Sequence, residues 1–244
     1  MLYKDYMNKI RDILDDVENT QSENIEKAAK MLAKAIKNDG VLHVFGCGHS
    51  QMFAMEVFYR AGGLVPVNAI LTPALSLAPK APLSTVGERQ ENLAKAILDN
   101  ETITENDIML VASTSARNPV PVEMAMEAKK RGLKVITLLS EDFARSVSSR
   151  HPSGKKTYDF ADVIFDNRGV SGDAAMEIEG LETKFGPTSS IIGFTMIQAM
   201  VVEAVNQLVK DGITPPIWVS SNLDKGDAIN KKHIKKYRSR ITNL

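Results

Sequence analysis

Two short polar loops carry the side chains in this sequence that are best suited to bind a small anionic ligand. The first, GCGHS at residues 46–50, combines glycines that permit close backbone approach with a serine placed to cap a following helix. The second, STSARN at residues 113–118, stands directly before a helix predicted to begin at Pro119. Hydroxyls and the free N–H groups of helix starts suit the acceptor oxygens of a phosphate monoester. The residues predicted to bind it are Gly48, Ser50, Ser113, Thr114, Ser115 and Asn118.

Each loop alone has a simpler explanation, since Ser50 could merely cap its helix and residues 113–118 could be an ordinary polar loop. A dinucleotide site fits less well, because Gln51 stands where the third glycine of G-x-G-x-x-G belongs. The second predicted strand also lacks the acidic residue that binds a ribose. A P-loop is excluded because no Gly-Lys-Ser/Thr sequence occurs. Two polar loops that each follow a buried strand therefore favour a phosphate site.

Neither a metal ion nor another cofactor is indicated by the sequence. No pair of the four histidines has the spacing of metal ligands. His43 lies inside an apolar run and is predicted to be a core residue. The single cysteine, Cys47, excludes an internal disulfide, which is typical of a protein of the reducing cytosol. Its position near a helix start could lower the pKa of its thiol, or the residue could simply be small enough for a tight loop.

These loops must be positioned by strands and helices, which the sequence predicts in alternation. Continuous apolar runs predict strands covered on both faces at 41–45, 64–71, 107–112, 134–139 and 161–166. Helical periodicity predicts helices at 3–19, 22–38, 51–60, 88–98, 119–131 and beyond Pro187. Ser22 is the predicted N-cap of the second helix, and 72–87 is predicted to be one long loop. The predicted fold is therefore α/β: a three-layer sandwich of the doubly wound, flavodoxin-like type, with a five-stranded parallel sheet plus N-terminal helices.

The overall composition limits the classes of partner. The 244 residues carry 30 Lys and Arg against 30 Asp and Glu, a balance that argues against bulk nucleic-acid binding. The N-terminus lacks the apolar core of a signal peptide, and the longest uncharged stretch, 185–202, is too polar for a good membrane span. We therefore expect a cytoplasmic protein with no nucleic-acid or membrane partner. Residues 231–240 lack acidic side chains; we expect a solvated helix face there, the alternative being contact with nucleic acid or with a phosphosugar in a neighbouring subunit.

The same segments resemble the sugar isomerase (SIS) domain family of phosphosugar-binding proteins over about residues 22–210. The similarity rests on VLHVFGCGHS, on IMLVASTSARN and on the helix and strand PVEMAMEAKKRGLKVITLLS. Ser113 and Ser115 match the serines of the family's Ser-x-Ser-x-x-Ser/Thr phosphate loop, whereas Asn118 stands at its final position. GHS and YRAGGL resemble one bacterial group of the family. VGERQENLAKAIL and ETKFGPTSS are similar to its N-acetylmuramic acid 6-phosphate etherase and glucokinase-regulator branch.

The resemblance implies a small-molecule phosphosugar partner, held by its phosphate on the second loop. It also implies a homodimer or homotetramer whose site is completed near a subunit interface. The implied organisation is a single SIS domain over 1–244, with an N-terminal helical extension (1–38) and a C-terminal extension (212–244). The expected activity is that of an isomerase or lyase acting on a sugar phosphate, amino-sugar phosphates included. The alternative is a non-catalytic phosphosugar sensor that regulates a partner protein.

The resemblance also implies a glutamate that removes a proton beside a carbonyl group. In several relatives this base stands about three turns beyond the first-loop serine, where this chain has Arg60, and Glu56 lies one turn earlier. Glu88 is the second candidate, because VGERQEN resembles the acidic helix start of the etherase branch. His49 is a candidate donor to a sugar hydroxyl, the alternative being simple loop packing. For both glutamates the alternative is a solvated helical carboxylate, with Glu56 paired to Arg60.

Overall fold

The computed structural model describes residues 1–244 as seven strands and eight α-helices. The strands are β1 (Leu42–Gly46), β2 (Val67–Ile70), β3 (Ile108–Ala112), β4 (Lys134–Leu139), β5 (Val163–Asp166), β6 (Met176–Ile178) and β7 (Leu181–Phe185). The helices are α1 (Leu2–Lys37), α2 (Gln51–Val57), α3 (Ala81–Gly87), α4 (Leu93–Leu98), α5 (Pro119–Lys130), α6 (Glu141–Ser146), α7 (Ser189–Lys210) and α8 (Gly226–Tyr237).

The first five strands form one parallel sheet in the order β2-β1-β3-β4-β5. This is a doubly wound order, in which the direction of chain progress across the sheet reverses between β1 and β3. Gly46 pairs with Ala112, so these two strands end at the same level. Ligands of such sheets bind beyond the carboxyl ends of the strands at the switch point. The predicted fold class is confirmed.

Helices cover both faces of this sheet and create the three layers. On one face, side chains such as Val44, Leu110 and Ile136 pack with α1, α2 and α7 in the larger hydrophobic core. On the other face, Phe45 and Met109 pack with α4 and α5. Successive side chains of a strand point to opposite faces, so a sheet covered on both sides requires continuous apolar runs. This requirement explains why the strands could be recognised in the sequence.

The N-terminal region is a single helix, α1, so the prediction of two helices divided at Ser22 is wrong. The Ser22 hydroxyl donates to the carbonyl of Glu18 one turn earlier and does not cap a new helix. Such bonding lets a serine remain inside a helix. The buried stripe continues through Val17, Gln21 and Ala28 while α1 packs along α7. Continuous packing against one neighbour therefore outweighs the local capping preference.

Residues 72–98 differ from the predicted loop and single helix. Helix α3 lies inside the predicted loop, and only the second half of the predicted helix 88–98 is helical, as α4. Asn92 adopts a left-handed conformation with φ of 65°, and its N–H donates to the Glu123 carboxylate at 2.8 Å. The break places Glu88 at the C-terminal end of α3 and not at a helix start.

The end of α2 and the start of β2 also differ from the prediction. Helix α2 ends at Val57 and not at Arg60, because Phe58 is extended, with φ of −89° and ψ of 134°, and Tyr59 takes a positive φ of 46°. Strand β2 begins at Val67, because the N–H of Val65 donates to the carbonyl of Pro216 at 2.9 Å and not to a sheet neighbour.

Helix α7 is the helix that was predicted to follow Pro187. By length and composition it could cross a membrane, but 44% of its most apolar window is buried inside the protein. Its main contacts are with α1 and α2. A core helix passes the same length and hydropathy test, so this helix is weak evidence for a membrane span. The antiparallel hairpin of β6 and β7 before it was not predicted, because its side chains are exposed and lack a buried alternation.

The basic C-terminal segment packs at the opposite edge of the sheet. Arg240 donates to the carboxylate of Asp107, just before β3, at 2.8 and 3.0 Å. The lysines of α8 are exposed, and one of them, Lys236, lies 3.3 Å from Asp39. Within one chain this segment is therefore remote from the loops that follow β1 and β3, and its lysines face solvent.

Candidate functional site

The two polar loops lie side by side at the switch point of the sheet. One follows Gly46 at the end of β1 and the other follows Ala112 at the end of β3, and these two residues are partners in the sheet register. The reversal of strand order leaves a crevice at this edge. The topology therefore brings both groups of predicted binding residues to one place.

The second loop presents many hydrogen-bond donors that have no partner within the chain. The hydroxyls of Ser113, Thr114 and Ser115 are all free of intramolecular bonds. The backbone N–H groups of residues 114, 115, 117 and 118 are also unbonded. Ala116 has a positive φ of 56°, an alternation of backbone conformation that forms a concave nest of N–H groups. A nest lined by hydroxyls is suited to the oxygens of a phosphate.

The start of α5 differs from the predicted anion-binding helix terminus. Pro119 and Pro121 have no N–H group, and the N–H of Val120 donates to the carbonyl of Glu88 at 3.1 Å. The Asn118 side chain caps no backbone N–H. The loop itself, and not the first turn of the helix, therefore supplies the free donors.

The first loop is a tight turn that depends on its glycines. A Cβ atom at Gly46 would lie 2.2 Å from the carbonyl oxygen of Ser50, so only glycine fits there. Gly48 adopts a positive φ of 56°, which glycine tolerates without strain. Ser50 has helical dihedral angles and makes no capping bond, so the prediction that it caps α2 is wrong. Its hydroxyl is left without a partner in the chain.

A cleft of about 410 Å³ lies between the first loop and α3. Its polar lining comes from both segments, and it includes Cys47, Gly48, His49, Ser84, Thr85 and Glu88. The imidazole of His49 is exposed at this cleft and has no hydrogen-bond partner in the chain. The cleft therefore holds one free imidazole and one carboxyl group that could transfer protons.

Glu88 connects the cleft to the second loop. The side chain of Asn118 lies beside its carboxylate, and its backbone carbonyl accepts from Val120. Burial raises the pKa of Glu88 above its ordinary value, although the Asn118 side chain and two nearby guanidinium groups act in the opposite direction. A carboxylate with a raised pKa is a stronger base at neutral pH than an exposed one.

Glu56, the other candidate base, lies outside this cleft. Its carboxylate forms an ion pair with Arg60, as the i,i+4 spacing predicts, and it accepts a hydrogen bond from Gln198 of α7 at 3.1 Å. The structure thus places His49 and Glu88 at one cleft, with Asn118 beside Glu88, and leaves Glu56 in a polar cluster beside α7.

The sequence analysis missed charged residues that border the second loop. Arg150 donates to the Asn118 side chain at 3.0 Å across a separation of 32 residues. Its neighbour His151 lies 3.6 Å from the buried carboxylate of Glu123. Both residues belong to the loop between α6 and β5, where no local motif marks them. Arg89 and Arg117 also went unrecognised, although each adjoins a candidate residue in the sequence, which was a usable signal.

Cys47 is buried, and no group of His, Cys, Asp and Glu side chains converges there or elsewhere as metal ligands would. Burial, followed by the nearby charge of Glu88, raises the pKa of the Cys47 thiol far above its ordinary value. The suggestion of a lowered thiol pKa is therefore wrong, and the residue is explained by its small size in a tight loop.

We expect Cys47 to resist thiol reagents in the folded protein at neutral pH. Because the thiolate is the reactive species, its reaction with 5,5′-dithiobis(2-nitrobenzoate) should be at least about a hundredfold slower than in the unfolded chain. Glu88→Gln removes a charge that opposes ionisation and should accelerate the reaction. Rapid labelling of the native protein at neutral pH would contradict the raised pKa.

The chain has clear relatives among known sequences. The SIS domain profile matches residues 5–140, which include both loops and Glu88. The UPF0309 protein of Geobacillus thermodenitrificans is 39% identical over 239 residues, which cover 98% of this chain and 96% of that protein. A UPF0309 protein of Halalkalibacterium halodurans is 43% identical over 235 residues, which cover 96% of this chain and 97% of its own.

Solved structures share the same architecture at lower sequence identity. A phosphoheptose isomerase from Francisella tularensis superposes with a TM-score of 0.53 and 18% identity, over 83% of this chain and 95% of that one. A phosphoheptose isomerase from Neisseria gonorrhoeae gives a TM-score of 0.50 and 18% identity, over 83% and 94% of the two chains. These similarities establish the fold. Because the profile spans more than half of the chain and the relatives match nearly all of it, the protein belongs to the SIS domain family and to its UPF0309 group.

Proposed function

We propose that this protein binds a phosphosugar and acts on it as an isomerase or lyase through glutamate acid–base chemistry. The observation that carries the proposal is the loop of residues 113–118, whose free hydroxyls and N–H groups adjoin the Glu88 cleft through Asn118. The same loop matches the phosphate loop of the SIS family. Membership of that family supports a sugar phosphate as the ligand, and amino-sugar phosphates are included among the candidates.

The chemistry assigned to the cleft is proton transfer next to a carbonyl group. Isomerisation moves a proton between adjacent carbons, and elimination of an ether also starts by removing a proton beside a carbonyl. Glu88 is the proposed base, because its half-buried carboxylate has a raised pKa and faces the cleft. His49 is the proposed donor to a sugar oxygen, since its imidazole is unbonded there. Gly48 and Ser50 would contribute the near wall of the site.

A thermal-shift screen against sugar phosphates tests the binding proposal. A ligand that binds only the folded state should stabilise it by about 2.7 kcal/mol at one hundred times Kd. For a chain of this size that corresponds to a rise in Tm of about 5–10 °C. Ser113→Ala with Ser115→Ala should abolish most of this shift, because both alterations remove hydroxyl donors from the loop.

Ser221→Ala with Ser239→Ala is the matched control, since both of these serines are exposed and distant from the loop. The control variant should show the full shift. If the loop variant responds as strongly as the control, residues 113–118 do not hold the phosphate.

A non-catalytic phosphosugar sensor is the second candidate function. It is favoured by Arg60, which stands where several relatives carry a base, and by the engagement of the Glu88 carboxylate with Asn118. Deuterium exchange from D2O into each bound sugar phosphate separates the two functions. Incorporation at carbon indicates an acid–base enzyme, whereas binding of several sugar phosphates without exchange or turnover indicates a sensor.

We propose further that residues 1–244 form a single SIS domain with an N-terminal helical extension (1–38) and a C-terminal extension (212–244). Support comes from the packing of α1 along α7 and from the contact of Arg240 with Asp107. We also propose a cytoplasmic homodimer or homotetramer without nucleic-acid or membrane partners. Light scattering at several protein concentrations tests the oligomeric state.

A further inference from the structure

Three arginines without acidic ion-pair partners gather beside the second loop. Arg150 donates from its side chain to Asn118 at 3.0 Å and from its backbone N–H to the carbonyl of Arg117 at 2.8 Å. Arg117 reaches the hydroxyl of Ser148 at 3.4 Å, and its Nε atom is buried without any hydrogen-bond partner. Arg89 follows Glu88 directly at the end of α3. None of the three has a carboxylate within salt-bridge distance, and together they concentrate positive charge at one rim of the cleft.

The neighbouring guanidinium groups make the charged form of Arg150 less favourable. Desolvation, and then repulsion from Arg117 and Arg89, lower the pKa of its guanidinium group. The carboxylate that influences it is that of Glu88, whose own pKa is raised by burial. Other arginines have acidic partners, as Arg131 and Arg168 have two carboxylates each, whereas Arg11 and Arg238 are unpaired but stand singly on exposed surface. An uncompensated cluster of guanidinium groups is the expected form of a site that receives an external anion.

The loop of residues 113–118 already has enough donors for one phosphate. Its three free hydroxyls and four unbonded N–H groups match the number of hydrogen bonds that three phosphate oxygens accept. The arginines are therefore in excess of what a single phosphate requires. Arg117 and Arg150 adjoin Asn118, and Arg89 follows the cleft residue Glu88 in the chain.

We propose that Arg89, Arg117 and Arg150 form a second anion subsite, which receives an additional acidic group of the phosphosugar. The substrate class is then a sugar phosphate that carries a carboxylate or a second phosphate, and not a neutral sugar phosphate. This inference rests on the proposed phosphosugar function and specifies its substrate. Guanidinium groups bind carboxylates and phosphates alike through paired N–H donors. The arginines therefore indicate a negatively charged group on the ligand, and the titrations below distinguish a carboxylate from a second phosphate.

Calorimetric titrations with three probes test the subsite: glucose 6-phosphate, 6-phosphogluconate and fructose 1,6-bisphosphate. The wild-type protein should bind at least one of the two doubly acidic probes at least about tenfold more tightly than glucose 6-phosphate. Arg150→Gln and Arg89→Gln should each remove most of this preference while leaving the weaker glucose 6-phosphate binding within about twofold. Preference for 6-phosphogluconate indicates a carboxylate, and preference for the bisphosphate indicates a second phosphate.

Arg238→Gln is the matched control, because it removes the same charge from an exposed site on the C-terminal segment. It should keep the full preference. Equal affinity of the wild-type protein for all three probes overturns the second subsite but leaves the phosphosugar proposal intact. A preference that survives both arginine variants also overturns it. If neither these probes nor any sugar phosphate of the thermal-shift screen binds, the proposed function fails together with this inference.

Discussion

Glu88→Gln should lower turnover of the sugar phosphate substrate by about 10²–10⁴-fold while leaving the ligand-induced thermal shift largely intact. Glutamine preserves the shape of the side chain and can still hydrogen-bond with Asn118, but it cannot accept a proton from carbon. The effect should therefore fall on kcat and on deuterium exchange at carbon. Affinity depends mainly on the loop of residues 113–118, which the substitution does not alter.

The pH profile gives an independent measure of the same group. A base acts only when it is deprotonated, so activity should rise with pH through the pKa of Glu88. Burial raises that pKa, and the acid limb of kcat/KM should therefore lie above the usual range of a glutamate. Arg89→Gln removes a nearby charge that lowers this pKa and should move the acid limb to still higher pH.

Two glutamate variants make this prediction specific. Glu91→Gln is the matched control, because Glu91 is exposed three residues beyond Glu88, and its turnover should equal that of the wild type. Glu56→Gln tests the rival base, which is paired with Arg60 outside the cleft. If Glu56→Gln abolishes proton exchange while Glu88→Gln retains it, Glu88 is not the base.

The fold could be predicted from the sequence because each strand is buried on both faces. Continuous apolar runs then mark the strands, and the helices between them require parallel pairing. Because the strands are parallel, their carboxyl ends lie at the same edge of the sheet, and the two polar loops that follow β1 and β3 were therefore predicted to lie together. Strand β4, at Lys134–Leu139, was predicted with its observed bounds for this reason.

Local signals failed where tertiary contacts decided the conformation. Ser22 has the residue type of an N-cap, yet its hydroxyl bonds back to Glu18 while α1 continues along α7. Asn92 interrupts a region of helical periodicity, because its backbone N–H is held by the Glu123 carboxylate of α5. Neither the packing of α1 along α7 nor the contact of Asn92 with Glu123 could be deduced from neighbouring residues in the sequence.

The candidate site was predictable only in the parts that follow strands. Gly48, Ser113 and Ser115 were predicted because strand ends in a parallel sheet have a fixed location. Arg150 comes from a loop whose path is set by packing, including the bond of the buried Thr157 hydroxyl with Thr137 at 2.9 Å. Sequence spacing carries no information about such contacts. The arginines that border the candidate site were therefore identified only in the structure.

Asp107→Ala should destabilise the protein by about 3–5 kcal/mol, the usual cost of removing one partner from a buried charge pair. The Asp107 carboxylate is fully buried and accepts bonds from the N–H groups of Val41 and Thr104 at 2.8 and 2.7 Å. It also binds Arg240 and lies 3.2 Å from His43 Nε2. Alanine would leave the N–H groups of Val41 and Thr104 without their acceptor and remove the charge that pairs with Arg240, so the chain should lose a large part of its total stability.

The pH dependence of unfolding should identify the Asp107 charge as the cause. Burial alone would raise the pKa of Asp107, but hydrogen bonds from His43, Thr104 and Val41 outweigh it and hold the pKa below its ordinary value. A lowered pKa contributes stability above the unfolded-state value of about 3.9, and that contribution is lost as pH falls through the folded pKa. The stability difference between wild type and Asp107→Asn should therefore be large at pH 7 and shrink in acid.

Asp39→Asn is the matched control for this network, since it removes a carboxylate charge that also contacts the C-terminal segment, at Lys236, but is exposed, and asparagine tolerates the positive φ of 56° at this position. Exposed ion pairs contribute little, so urea denaturation should give nearly the wild-type midpoint for this variant. Arg240→Ala should be destabilised in the same direction as Asp107→Ala, and the double variant should lose less than the sum, because the two side chains share one interaction. Additive losses, or equal effects of Asp39→Asn and Asp107→Ala, would show that the buried carboxylate does not hold the C-terminal segment against the sheet.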